Sequence, residues 1–434
     1  MMDFQKEISR IKEWRGLRLS GRVTHVIGML IESMGPDVFV GEICYVYGKK
    51  GKAIPCQVVG FKENKVLLMA LGEMSHIAPG SEVWPKDEVH QVQVSPSLVG
   101  RILDALGNPM DGKGPLEAST TYPVTAAPPP PLTRDRITQP LSTGIKAIDA
   151  LLTLGRGQRM GIFSGSGVGK STLMGMIAKK AYSDVNVIAL IGERGREVRE
   201  FIERDLGPEG LSRSVVIVAT SDQPAPIRCK GANVATAIAE YFRDQGQNVI
   251  LMMDSITRYA MAQREIGLAI GEPPTTRGYP PSVFAHLPSL LERAGNSDKG
   301  SITGIYTVLA EADDMNDPIA DQMRSLLDGH IFLSRALAAA SHFPPIDVGA
   351  SLSRVMNALV PASHLQLASK LREILQTYLE AEELINIGAY VAGSNHNIDS
   401  AIEKIGSVRS FLRQRAEEHF SLEDSLHLLK SILS

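Results

Sequence analysis

At 434 residues the chain is too long for one ordinary core, so about two or three domains are expected. Apolar residues make up 44% and charged residues 21%, a globular balance that excludes a disordered chain. The net charge of −3, without a dense Lys/Arg run, gives a nucleic-acid partner no electrostatic support. Three widely spaced cysteines, Cys44, Cys56 and Cys229, argue against a disulfide framework or a metal site and fit a reducing compartment.

Residues 1–14 place Phe4, Ile8 and Ile11 on one stripe of a helix. Two readings stay open: a helix docked on its own domain, and a helix that docks on a partner. This end is mixed in charge and is no signal peptide, and no apolar stretch reaches the ~18 residues of a spanning helix. A cytoplasmic protein is expected.

From residue 17, β-rich runs (GRVTHVIGMLIES, GEICYVYG, AIPCQVVGF, KVLLMALG) are punctuated by Gly, Pro or Asn. That rhythm predicts a small antiparallel barrel or sandwich. GRILDALGNPMDGKGP (100–115) reads as turn-rich, and Pro128–Pro131 as a stiff spacer. Then QRMGIF, NVIALIG, SVVIVAT, NVILMMD and SITGIYTVL alternate with helical stretches, as parallel strands buried on both faces do. After about residue 355 only helical spacing remains. The expected fold is a P-loop α/β core with an N-terminal small β-barrel and a C-terminal helical domain. Expected bounds are 1–16 for the N-terminal helix, 17–95 for the barrel, 96–354 for the nucleotide-binding domain and 355–434 for the helical domain.

Chemistry concentrates in SGSGVGKST, where a strand runs through Ser164, Gly165, Ser166, Gly167, Val168, Gly169, Lys170, Ser171 and Thr172 into a helix. Strand, Gly-rich loop, Lys, hydroxyl and helix is the order a phosphate-binding loop requires. The glycines let backbone N–H groups turn inward, and the helix N-terminus adds its positive dipole end. Lys170 would reach the β- and γ-phosphates of ATP, and Ser171 would place its hydroxyl on Mg²⁺. The loop departs from the general pattern at its first position, Ser164 instead of Gly. Asp254 ends NVILMMD, where a carboxylate can hold Mg²⁺ through water; without a P-loop it would read as a cap. Glu193 follows NVIALIG, where a carboxylate can polarise the attacking water; alone it would read as a solvated charge.

With these residues in view, the chain resembles the rotary and secretion ATPases, a family that includes the F1 β subunit. GRILDALGNPMDG, QPLSTGIKAIDAL, GERGREV, DSITRYA and PPIDVGASLSR occur in the family's order. The resemblance covers about residues 18–434 and implies a RecA/F1-like core. By resemblance Glu193 activates water, Arg194 and Arg258 contact phosphate, Phe343 stacks on adenine, and Arg354 is an arginine finger for the neighbouring subunit. GRGQRMGIFSGSGVGKS and LAEADDMNDPIADQMRSLLDGHIFLSR are similar to the flagellar and type III secretion branch, and INIGAYVAGS leans flagellar. That branch implies a homohexamer energising protein export at the inner-membrane apparatus. The implied partners are a stator-like regulator at the N-terminus, a central stalk protein, export chaperones and substrates, and export-gate membrane proteins. The competing readings are a rotary ATP synthase or ion-pump catalytic subunit, a non-catalytic nucleotide-binding subunit and a ring-shaped RNA helicase. Glu193 argues against the non-catalytic subunit, and the near-neutral charge against the helicase.

Overall fold

The computed structural model describes residues 19–48, 51–117, 120–310 and 317–433. The stripe of Phe4, Ile8 and Ile11 lies outside them. Residues 21–89 form a closed six-stranded barrel in the order Gly21–Ile27, Leu30–Met34, Lys65–Ala70, Ala53–Lys62, Glu42–Tyr47, Glu82–Val89. Closure comes from Gly21 pairing with Val83, and it decides for a barrel over an open sandwich. Its interior is small and aliphatic, with Val23, Ile31, Val46, Val58, Leu68 and Val83 buried together. GRVTHVIGMLIES is two strands, not one run, because Gly28 at φ 58° reverses the chain between them.

The central sheet runs Ile346–Ser353, Gly329–Leu333, Arg159–Ser164, Ser301–Leu309, Asn248–Asp254, Val185–Ile191, Ser214–Ala219, Ile102–Asp104. All neighbours in this path are parallel except the first pair. Every residue of Val185–Ile191 is buried, and the reason is visible in how its side chains divide. Val187, Ala189 and Ile191 join the core under helices Ala225–Asp244 and Pro281–Leu291. Ile188 and Leu190 join the opposite core, under Leu173 and Met174 of helix Lys170–Lys180. With both faces covered, a parallel strand has no polar side to show. Helices Ala362–Asn386, His396–Leu412 and Leu422–Leu433 pack on the second face through Leu371, Phe411, Leu412 and Leu429.

Two stretches differ from expectation. GRILDALGNPMDGKGP contains an edge strand, Ile102–Asp104, which pairs with Val216–Val218. Its turns are held by two carboxylates: Asp111 takes Arg101 Nε at 2.7 Å and the Ile102 amide at 3.1 Å, while Asp104 accepts the Leu106 and Asn108 amides at 2.8 Å each. The proline run is more than a spacer, because Arg134 just beyond it donates to Pro129 O at 3.2 Å and to Ala294 O at 3.0 Å.

Arg293 and Glu240 form an ion pair through Nε–Oε1 at 2.9 Å and Nη2–Oε2 at 2.5 Å, with 3% and 4% of their side chains exposed. Arg293 also donates to Val124 O at 2.9 Å, tying the chain ahead of the proline run to the core. Glu240→Ala would leave a buried guanidinium uncompensated, so a loss of ~3–5 kcal/mol is expected for the core. A thermal transition of the variant that coincides with wild type would contradict this.

Candidate active site

The loop 164–172 leaves the C-terminal end of strand Arg159–Ser164, the side of a parallel sheet where ligands bind. Gly169 at φ 100° caps helix Lys170–Lys180, and Gly167 sits at φ 77°. These left-handed conformations suit glycine and turn the loop's backbone around a cavity of about 480 Å³. Gly165, Ser166, Gly167, Gly169, Lys170, Ser171 and Thr172 line it together with Glu193, Arg194, Asp254 and Arg258. Val168 is buried in the core below. Ser164, the position that departs from the general loop pattern, is buried beneath the loop and does not line the cavity. The departure therefore falls outside the part of the loop that lines the cavity.

Two carboxylates meet Lys170. Its Nζ is 2.5 Å from Asp254 Oδ1 and 3.5 Å from Glu193 Oε1. Burial opposes the ammonium charge, but the Coulombic pull of Asp254 and Glu193 outweighs it and raises the Lys170 pKa. Asp254 Oδ1 also accepts from Thr307 Oγ1 at 2.8 Å, which orients the carboxylate. Thr307 was missed in the sequence. Nothing in the run SITGIYTVL sets it apart from Ser301, Thr303 and Tyr306.

Burial, then the nearby Asp254 charge, pushes the Glu193 carboxyl up to about 7, against the pull of Lys170. Glu193 also shares a hydrogen bond with Glu197, which bonds Arg194 Nη1 at 2.9 Å. A general base works best with a pKa near the operating pH. Because the pKa is raised, the carboxylate form is lost as pH falls through about 7. The expected kcat/KM therefore has an acid limb near that pH, and Glu193→Gln should lack it. An acid limb in the ordinary glutamate range, about 4.3, would remove Glu193 from the role.

Arg258 lies in the first turn of helix Ile256–Ala269, and its Nε is buried with no hydrogen-bond partner among the described residues. An unsatisfied guanidinium donor on a Gly-rich loop's cavity suits a phosphate oxygen. Gly192, at φ 72°, makes the approach possible: a Cβ there would lie 2.8 Å from Arg258 Cβ. Arg194 is mostly exposed at the cavity rim.

Phe343 and Arg354 do not line this cavity. Phe343 is 50% exposed, and the Pro345 ring two residues on lies 3.9 Å from where a Gly169 Cβ would be. Arg354 is exposed just beyond the edge strand Ile346–Ser353, held by Nη2 to Arg324 O at 3.0 Å and by its amide to Asp328 O at 3.0 Å. The serines before it shape that edge: Ser351 Oγ accepts the Phe332 amide at 2.9 Å, and Ser353 Oγ donates to Thr153 O at 2.9 Å.

The nucleotide-binding domain of the ATP synthase alpha/beta family matches residues 144–353, and that family's beta-barrel domain matches 23–85. The T3SS EscN ATPase C-terminal domain matches residues 360–431. The flagellum-specific ATP synthase of Bacillus subtilis is 54% identical over 99% of both chains. The chain belongs to the flagellar and type III secretion ATPase family. It is an ATP-hydrolysing enzyme. The type 3 secretion system ATPase of Xanthomonas euvesicatoria is 52% identical, over 96% of this ATPase and 94% of that protein. The assembled ATPase EscN of enteropathogenic E. coli, solved with its central stalk EscO, superposes with a TM-score of 0.88 at 44% identity, over 95% of this chain and all of that one. Among the described residues, no helix is long and apolar enough to cross a membrane.

Proposed function

We propose that the ATPase works as a homohexamer that energises flagellar or type III protein export, hydrolysing Mg-ATP at sites shared between neighbouring subunits. The placement of Arg354 carries the reading. A residue beyond the edge strand and outside its own subunit's phosphate cavity is positioned to serve another subunit.

Asp254 and Ser171 offer a buried carboxylate and a hydroxyl on the same cavity, the hard oxygen donors that suit Mg²⁺. When bound, the ion neutralises charge on the β- and γ-phosphates. Within the chain, Lys170 releases its carboxylates to hold the same phosphates, and the loop's backbone N–H groups orient them. Glu193 takes the proton of the attacking water, its pKa high enough to accept it and low enough to be half ionised near neutrality. Arg194 and Arg258 hold γ-phosphate oxygens. Arg354 from the neighbour neutralises the charge that develops in transfer. Phe343 stacks on the adenine.

EscN's complex with its central stalk EscO supports a stalk partner for this ring. We assign residues 1–16 to a stator-like regulator. Chaperone–substrate complexes dock on the ring and are released or unfolded at the membrane export gate, which keeps the enzyme peripheral to the inner membrane. Affinity capture of the full chain from its own cells tests the reading. Export chaperones and gate proteins should co-purify. Recovery of rotary ATP synthase subunits in their place would overturn it.

A further inference from the structure

A second cavity, about 310 Å³, lies where the barrel meets the core. It is at the small end of the range for small-molecule sites. Val58 and Val59 of the barrel line one wall, and Tyr259, Gln263 and Ile266 of helix Ile256–Ala269 another. Lys230, from helix Ala225–Asp244, also lines it and is only 6% exposed.

The other buried cations near this joint and the phosphate loop have carboxylate partners: Arg293 has Glu240, Arg243 has Asp244 and Lys170 has Asp254. Among the described residues, no carboxylate or hydrogen-bond acceptor reaches the Lys230 ammonium. An unpaired charge out of water is costly, and here burial lowers the Lys230 pKa to about 8. Most of the population is still cationic at neutral pH. Val59, Ile266 and Ile270 give the cavity an apolar wall, beside polar groups that include Asn233 and His286.

We propose that this cavity binds a small organic monocarboxylate, its carboxylate paired with Lys230 and its aliphatic body along Val59, Ile266 and Ile270. Arg293 on the same lining is already paired with Glu240, so Lys230 supplies the one uncompensated charge there among the described residues, which matches a monoanion better than a phosphate dianion. Glu272, on the same lining, further disfavours a second negative charge.

Isothermal titration of the full-length protein with sodium octanoate tests the site, with octan-1-ol as the uncharged probe of equal chain length. Saturable one-to-one binding of octanoate is expected, and weaker binding of the alcohol. Lys230→Arg should retain the affinity. Lys230→Met, which keeps the length and removes the charge, should weaken it at least ~10-fold, or ~1.4 kcal/mol. If Lys230→Met fails to fold, Val59→Trp, which fills the aliphatic wall, must weaken octanoate binding. No saturable binding to wild type, equal affinity for octanoate and octanol, or unchanged affinity in Lys230→Met or Val59→Trp would overturn the site.

Discussion

Glu193→Gln is expected to lower turnover at least ~10²-fold while ATP binds almost as it does to the wild type, the loss being that of a general base. The amide keeps the size and hydrogen-bonding shape of the carboxylate but cannot take a proton from water. Binding should survive because Lys170, the loop's backbone groups and Arg258 are untouched by the change. A nucleotide titration alongside single-turnover hydrolysis separates the two effects. If affinity falls in step with turnover, Glu193 holds the pocket together and the base lies elsewhere.

Arg354→Ala is expected to cripple hydrolysis by ~10³–10⁵-fold, the scale of an arginine finger, with each subunit's nucleotide affinity largely intact. Lys170→Ala should be equally inactive, for a different reason: it removes the ammonium that meets the β- and γ-phosphates. Mixing the two inactive proteins is the informative measurement. In a mixed ring some interfaces join an intact Lys170 to a neighbour's intact Arg354, so part of the activity should return. A finger acting within its own chain could not be rescued, because every chain would carry a lethal defect in its own site. Mixed oligomers that form and stay inactive would refute the shared site and weaken the hexamer with it. Arg354 outside its own cavity is the geometric reason to expect rescue.

The parts of this site that the sequence by itself determined are local. A phosphate loop is a contiguous strand, turn and helix, so its residue order carries its geometry, and glycines at 167 and 169 stand where left-handed backbone is needed. Asp254 stood out because an apolar strand ends on it, whereas Glu193 beyond another strand reads alone as a solvated charge. The barrel, the parallel core and the helical end were legible from periodicity, since burial on one face, two faces or a stripe leaves different spacing. The roles proposed for Glu193, Arg194, Arg258, Phe343 and Arg354 rest on the family's motifs.

What only the tertiary structure decided is which strand ends stand side by side. Asp254 and Glu193 converge on Lys170 because Asn248–Asp254 pairs with Val185–Ile191 and, through Ser301–Leu309, lies near Arg159–Ser164. Strand order comes from long-range pairing, which leaves no periodic signal along the chain. The same pairing puts Thr307 beside Asp254 and raises the Glu193 pKa, first by burying it and then by bringing the Asp254 charge near. Ile102–Asp104 was hidden for a related reason: a three-residue strand among turn residues exists only because Val216–Val218 offers it an edge. The lone Lys230 shows the limit most plainly. A lysine in a helix reads as a solvated charge until the barrel closes over it and takes its water away.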